Sequence, residues 1–229
     1  MTTAGIIGGL GPESTVDYYT SIISTYREQK RDGSYPSLII NSVDFSRLIR
    51  LVEGNALEEM TEYLSVEINR LAMAEASFAA LSANTPHIVF DGLRNKSSIP
   101  LLSIVEATCD AATGMGLRRL GLLGTRFTMQ GSFYSEVFAR RGVALVVPDA
   151  DEQAFIHHCY MTELLQGNFL PETKQKLIEL MRRLTRRENL DGIILAGTEL
   201  PLILRDADPG IPLLDTTRIH VKAIVARLL

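Results

Sequence analysis

The strongest constraint on this chain is a glycine-ended apolar strand that occurs twice, each time heading the same series of landmarks. Gly5-Ile6-Ile7-Gly8 resembles Gly121-Leu122-Leu123-Gly124. Ala83-Asn84-Thr85 begins 75 residues after Gly8, and Gly197-Thr198-Glu199 begins 73 residues after Gly124. Ile99-Pro100-Leu101-Leu102 then returns as Ile211-Pro212-Leu213-Leu214, 16 and 14 residues beyond those motifs. Landmarks matched at near-constant offset imply two similar halves. Apolar runs predict strands at 4–8, 37–41, 78–82, 101–104, 120–123, 144–147, 192–196 and 213–215. Between them, helical periodicity predicts helices at 13–30, 56–74, 104–116, 130–141, 151–165, 172–188 and 219–229. Strands apolar on both faces and alternating with helices give an α/β fold with parallel sheets. The expectation is two pseudo-symmetric α/β domains, each a parallel sheet flanked by helices, with a site in the cleft between them. The first half is set at 1–110, joined by the C-terminal segment 213–229, and the second at 111–212.

Composition narrows the function classes. The 229 residues carry a net charge of −4, with 46% hydrophobic and 22% charged residues. That balance fits a globular protein of one or two domains and offers no electrostatic footprint for nucleic acid or an anionic membrane. No apolar run reaches spanning length, and the first residues lack a signal-peptide layout. Two cysteines, Cys109 and Cys159, cannot build a disulfide framework, which favours a reducing cytoplasm. Neither Cys-x-x-Cys nor a zinc-binding histidine motif occurs, so no metal is expected.

Gly8-Gly9-Leu10-Gly11-Pro12-Glu13-Ser14-Thr15 joins the first predicted strand to the first long helix. Glycines let backbone N–H groups approach a ligand, and a helix N-terminus favours an anion such as a carboxylate. Gly9, Leu10 and Gly11 are therefore candidate contacts, with a plain strand-to-helix turn as the alternative. The run is not Gly-x-Gly-x-x-Gly and no Gly-Lys-Ser/Thr follows, which disfavours dinucleotides and nucleoside triphosphates. Ser82-Ala83-Asn84-Thr85-Pro86-His87 closes the third strand, and Gly197-Thr198-Glu199-Leu200-Pro201 closes its counterpart. Asn84, Thr85 and Thr198 can fix a carboxylate or amine, or cap the next helix. Glu199 can hold an ammonium or act as a base. Thr125 and Thr128, in Thr125-Arg126-Phe127-Thr128-Met129, suit a second carboxylate or a turn. His157 and His158, adjacent in a helix, cannot both face inward, and His220 reads as structural. Arg182, Arg183, Arg186 and Arg187 read as a solvated face. Cys109 and Cys159 lie within helical stretches and read as small buried hydrophobes.

Seven motifs, in order, resemble the aspartate/glutamate racemase family over essentially the whole chain. They are Gly-Gly-Leu-Gly-Pro-Glu-Ser-Thr (8–15), Asn-Ser-Val-Asp-Phe (41–45), Asn-Thr-Pro-His (84–87), Gly-Thr-Arg-Phe-Thr-Met (124–129), Asp-Ala-Asp-Glu-Gln (149–153), Gly-Thr-Glu-Leu-Pro (197–201) and Ile-Pro-Leu-Leu-Asp (211–215). The acidic amino-acid racemase branch is the most similar. The resemblance implies a cofactor-independent isomerase acting on amino acids, a homodimer with a small amino acid or dicarboxylate as its ligand. In that family two cysteines, one from each half, remove the α-proton from one face and return one to the other. Helix N-termini lower the thiol pKa, and amides and hydroxyls hold the α-carboxylate.

At the two cysteine positions this chain has Ala83 and Gly197. In the acidic branch the first position can be Thr preceded by Cys, but here Ser82 precedes. The resemblance therefore implies that racemisation is impaired, or replaced by other chemistry on a small amino acid or carboxylate. Ser82, Thr85, His87 and Glu199 are the substitute proton carriers for a cysteine-independent lyase or decarboxylase. The implied binding set is Gly9, Leu10, Gly11, Arg47, Asn84, Thr85, Thr125, Thr128, Thr198 and Glu199. Arg47 serves either a distal carboxylate or an exposed salt bridge. The alternative functions are a non-catalytic binder or sensor of an acidic amino acid or dicarboxylate, and an interaction subunit. If the rest of the site is intact, Ala83→Cys with Gly197→Cys is expected to bring racemase activity back.

Overall fold

The computed structural model describes residues 2–204 and 207–229. The chain divides into two compact units, Met1–Ala107 with Thr217–Leu229, and Thr108–Thr216. In the first unit β1 (Thr3–Gly8), β2 (Ser37–Ser42), β3 (Phe78–Leu81) and β4 (Leu101–Leu102) form a parallel sheet in the order β2-β1-β3-β4. Helices α1 (Pro12–Lys30), α2 (Phe45–Glu53), α3 (Leu57–Met73) and α4 (Phe90–Lys96) connect them. A 3-10 turn, Thr85–Val89, precedes α4. Pro12 opens α1 where its missing N–H has no partner to lose. Tyr18 and Ile22 of α1 pack on Ala4, Ile6 and Phe78 of the sheet, together with Val221, Ile224 and Val225 of the C-terminal helix α11 (Thr216–Leu228). Each fully buried isoleucine, valine or phenylalanine among them contributes about 1.5–3 kcal/mol by leaving water.

The second unit repeats the plan. Helix α5 (Ile104–Gly114) leads into β5 (Arg119–Gly124), and β6 (Ala144–Val146), β7 (Gly192–Ala196) and β8 (Leu213–Asp215) follow. Their order, β6-β5-β7-β8, is the first unit's order again, and every pairing is parallel. The connections carry α6 (Arg126–Gln130), α7 (Ser132–Ala139), α8 (Ala150–Thr162), α9 (Pro171–Glu188) and α10 (Leu200–Ile203). Strand β7 is buried along its whole length, which explains its unbroken Gly-Ile-Ile-Leu-Ala run. Leu177, Leu180, Met181 and Leu184 of α9 pack beside Ile193 and Leu195.

Three details differ from the sequence expectation. Residues 213–229 do not go together: β8 pairs Ile193 with Leu213 and Leu195 with Asp215 in the second sheet, while α11 from Thr217 packs in the first unit. The stretch 130–141 is broken at Gly131, which ends α6 and precedes α7. Helices α2 and α4, of nine and seven residues, were not expected; α2 buries only Leu48 and Val52, too few positions to show a period. Among the described residues no helix is long and apolar enough to cross a membrane.

Candidate functional site

In a parallel sheet ordered 2-1-3-4, successive connections depart in opposite directions between β1 and β3, and ligands bind beyond the carboxyl ends of strands at such a point. The sequence landmarks lie there in both units. β1 and β3 are neighbours, with Ile7 opposite Leu81, so the loop after Gly8 emerges beside residues 82–85. β5 and β7 are neighbours, with Gly124 opposite Ala196, so Thr125 emerges beside Gly197.

The first glycine loop is held by its own helix. Gly9 and Gly11 have φ of 75° and 116°, conformations an L side chain rarely adopts. The Gly9 N–H donates to Thr15 Oγ1 at 2.9 Å, and the Thr15 and Ser14 hydroxyls donate to Gly11 O at 3.1 and 2.8 Å. Leu10 is buried. A Cβ on Gly8 would stand 2.6 Å from Thr15 Cγ2, and one on Gly9 would stand 2.5 Å from Val43 O, so the loop tolerates nothing larger.

Across the β1–β3 step, Ser82 is fully buried and donates its hydroxyl to Ile7 O at 2.9 Å. Ala83 and Asn84 are also buried, and Thr85 is half-buried at the start of the 3-10 turn. His87 has both ring nitrogens engaged. Nε2 accepts the Ile104 N–H at 3.2 Å, which leaves Nδ1 protonated and donating to Ala83 O at 3.1 Å. The ring stacks on Phe90 with centroids 4.7 Å apart. Burial, with the charge of His220 next, holds the His87 pKa down to about 3, against the backbone bonds that raise it. Of the substitute proton carriers, Ser82 and His87 are therefore already committed to backbone groups. Arg47 lies in the first turn of α2, capped by Asp44, and is exposed. Its guanidinium sits 4.2 Å from the centre of the Tyr63 ring, beside a groove of 560 Å³ lined by Glu58, Glu59, Glu62 and Glu67.

In the second unit Thr125 caps α6, accepting the Thr128 N–H at 3.3 Å, and the two hydroxyls are 3.2 Å apart. Gly124 would place a Cβ 2.6 Å from Ala196 O, the counterpart of the Gly8 crowding. Glu199 is buried at 1% exposure, and Thr198 Oγ1 donates to its Oε2 at 2.8 Å. The same oxygen accepts the hydroxyl of Tyr160 from α8. Burial, then the neighbouring Glu199 charge, pushes the Tyr160 phenol well above its ordinary pKa. Tyr160 was invisible to sequence reasoning because it stands in the last turn of α8, 37 residues from Gly197, with no motif signal.

Cys109 and Cys159 are buried on α5 and α8, at 1% and 3% exposure, and burial raises both thiol pKa values. His158 is exposed, His157 is half-buried and accepts the Arg126 N–H through Nδ1, and His220 is buried between Tyr18 and Leu102 O. Among the described residues, no group of three His, Cys, Asp or Glu side chains is placed to hold a metal ion.

Residues 7–224 match the Asp/Glu/Hydantoin racemase family. The chain belongs to that family. It is 25% identical, over 98% of its length and 97% of the relative, to a broad-specificity amino-acid racemase of Bacillus subtilis. The crystal structure of an aspartate racemase homologue from Pyrococcus horikoshii OT3 is 33% identical with a TM-score of 0.85, covering 100% of this chain and 99% of that one. The aspartate racemase of Picrophilus torridus, at 22% identity, shares the fold with a TM-score of 0.77, covering 100% and 94%. The doubled parallel sheet is thus the racemase-family architecture, and an amino acid is the ligand class the family suggests.

Proposed function

We propose that this family member binds an acidic amino acid or a related small dicarboxylate and does not invert it by the two-thiol route. Its ligand-binding residues are the strand-end set: Gly9, Leu10, Gly11, Asn84 and Thr85 in the first unit, and Thr125, Thr128, Thr198 and Glu199 in the second. The observation that carries this reading is the pair Ala83 and Gly197. Both stand at the strand ends where the family resemblance calls for thiols, and neither side chain can carry a proton. The two thiols the chain does have are buried in helices and shifted toward the unreactive protonated form. Of the substitute proton carriers, Ser82 and His87 are tied to backbone groups, which argues against proton removal by either. A homodimer without an organic cofactor, in the cytoplasm, completes the proposal.

Titration calorimetry with L- and D-aspartate and L- and D-glutamate tests it. Saturable binding of at least one, unchanged in Cys109→Ala/Cys159→Ala, is the expected result. No binding of any of the four would remove the acidic amino acids from the ligand class.

A further inference from the structure

Gly197 is a glycine for want of space. Its backbone is not among those with positive φ, so an L side chain is conformationally acceptable there. Yet a Cβ would stand 2.5 Å from Tyr160 Cε2, 3.0 Å from its hydroxyl oxygen and 3.1 Å from Cζ. Atoms of a packed interior do not approach so closely, so either the ring or the strand end would have to move. The ring has nowhere convenient to go. Tyr160 is 4% exposed and packs in the cluster of Leu123, Met129, Leu164 and Leu195. Its helix is fixed at the N-terminus by a reciprocal cap between Asp149 and Glu152. Its hydroxyl is spent on Glu199 Oε2, beside the Thr198 hydroxyl on the same oxygen. A buried carboxylate gains charge-assisted hydrogen bonds from both donors, and losing one leaves part of its charge uncompensated.

We propose that Tyr160 occupies the space of a side chain at residue 197 and is the positioning residue for Glu199, the carboxylate that meets the ligand's ammonium. The first half of this stands on packing alone; the second rests on the proposed ligand class. One consequence is that Gly197→Cys does not restore a usable thiol while the tyrosine ring remains, so the simple double restoration with Ala83→Cys stays inactive.

Two sets of variants test the two halves separately. Gly197→Ala should lower the melting temperature by about 5 °C. In a Tyr160→Leu background, where no atom reaches the ring's far edge, the same substitution should change it little. An equal loss in both backgrounds would overturn the space-filling claim. Tyr160→Phe keeps the ring and removes only the hydroxyl. It should weaken L-aspartate binding about tenfold while leaving succinate, which has no ammonium, unchanged. Equal affinities for L-aspartate in wild type and Tyr160→Phe, or a parallel loss for succinate, would overturn the positioning role. If the wild-type protein binds neither ligand, the positioning role falls, the calorimetry with all four enantiomers decides the ligand class, and the melting comparison still decides the packing claim.

Discussion

Glycines recur at the strand ends of both units, but for two physical reasons. Gly9 must be glycine for its backbone, with φ of 75°, and for the 2.5 Å that would separate a Cβ from Val43 O. Gly8, Gly124 and Gly197 must be glycine because a neighbour fills the Cβ position. Gly9→Ala should therefore cost more than about 2 kcal/mol, combining left-handed strain with a clash against rigid backbone. A urea titration showing an unchanged midpoint would contradict it. The glycine loop was legible in the sequence because its cause is local, a strand turning into a helix over a few residues. The cause of Gly197 was not legible, because the ring that crowds it arrives from α8 and only folding brings the two together. For the same reason His87 read as an available proton carrier, while its partners Ala83 O and Ile104 N–H are backbone groups that no side-chain pattern reports.

The periodic elements were largely readable, since long helices and fully buried strands declare themselves through apolar spacing. Short ones did not: α2 and α4 carry too few buried positions, and a boundary drawn at residue 213 separates β8 from the second sheet in which it pairs. Helix α8 shows how a family motif can be an element boundary. Asp-Ala-Asp-Glu-Gln at 149–153 is a capping box: Asp149 accepts the Glu152 N–H at 3.0 Å, and Glu152 accepts the Asp149 N–H at 3.2 Å. The Glu152 N–H, with the Arg187 guanidinium adding to it, holds the Asp149 carboxyl below the usual aspartate range. Asp149→Ala should lower the urea midpoint with no change in slope and loosen the first turn of α8, read as faster amide exchange at residues 151–153. Exchange rates at those amides equal to wild type would show that the cap does not anchor the helix.

At the scale of the molecule, the two units share a strand order but not their buried titratable groups. His87 and His220 are both buried in the first unit, with pKa values of about 3 and about 4, each held down chiefly by burial. Both are depressed below the unfolded value of about 6.5, so the unfolded chain takes up protons that the folded one refuses. Stability is fully present above pH 6.5 and falls as the pH drops toward 4, by about 1.4 kcal/mol per pH unit for each group. In the second unit His158 is exposed and His157 half-buried, so the loss should be read first in the first unit's amides. Hydrogen exchange at pH 7 and pH 5 checks this: equal loss of protection in both units would contradict it.

The sheets themselves, the doubled order and the motif positions followed from the repeat; what the repeat leaves open is whether a proton moves. Incubation with L- and D-aspartate and with L- and D-glutamate in D2O, followed by NMR of the α-proton, addresses that most directly. If alanine and glycine stand where the proposed reading needs thiols, the protein should bind its ligand and leave the α-proton signal of every enantiomer intact. Steady loss of that signal from any of the four, at a rate proportional to protein concentration, would contradict it.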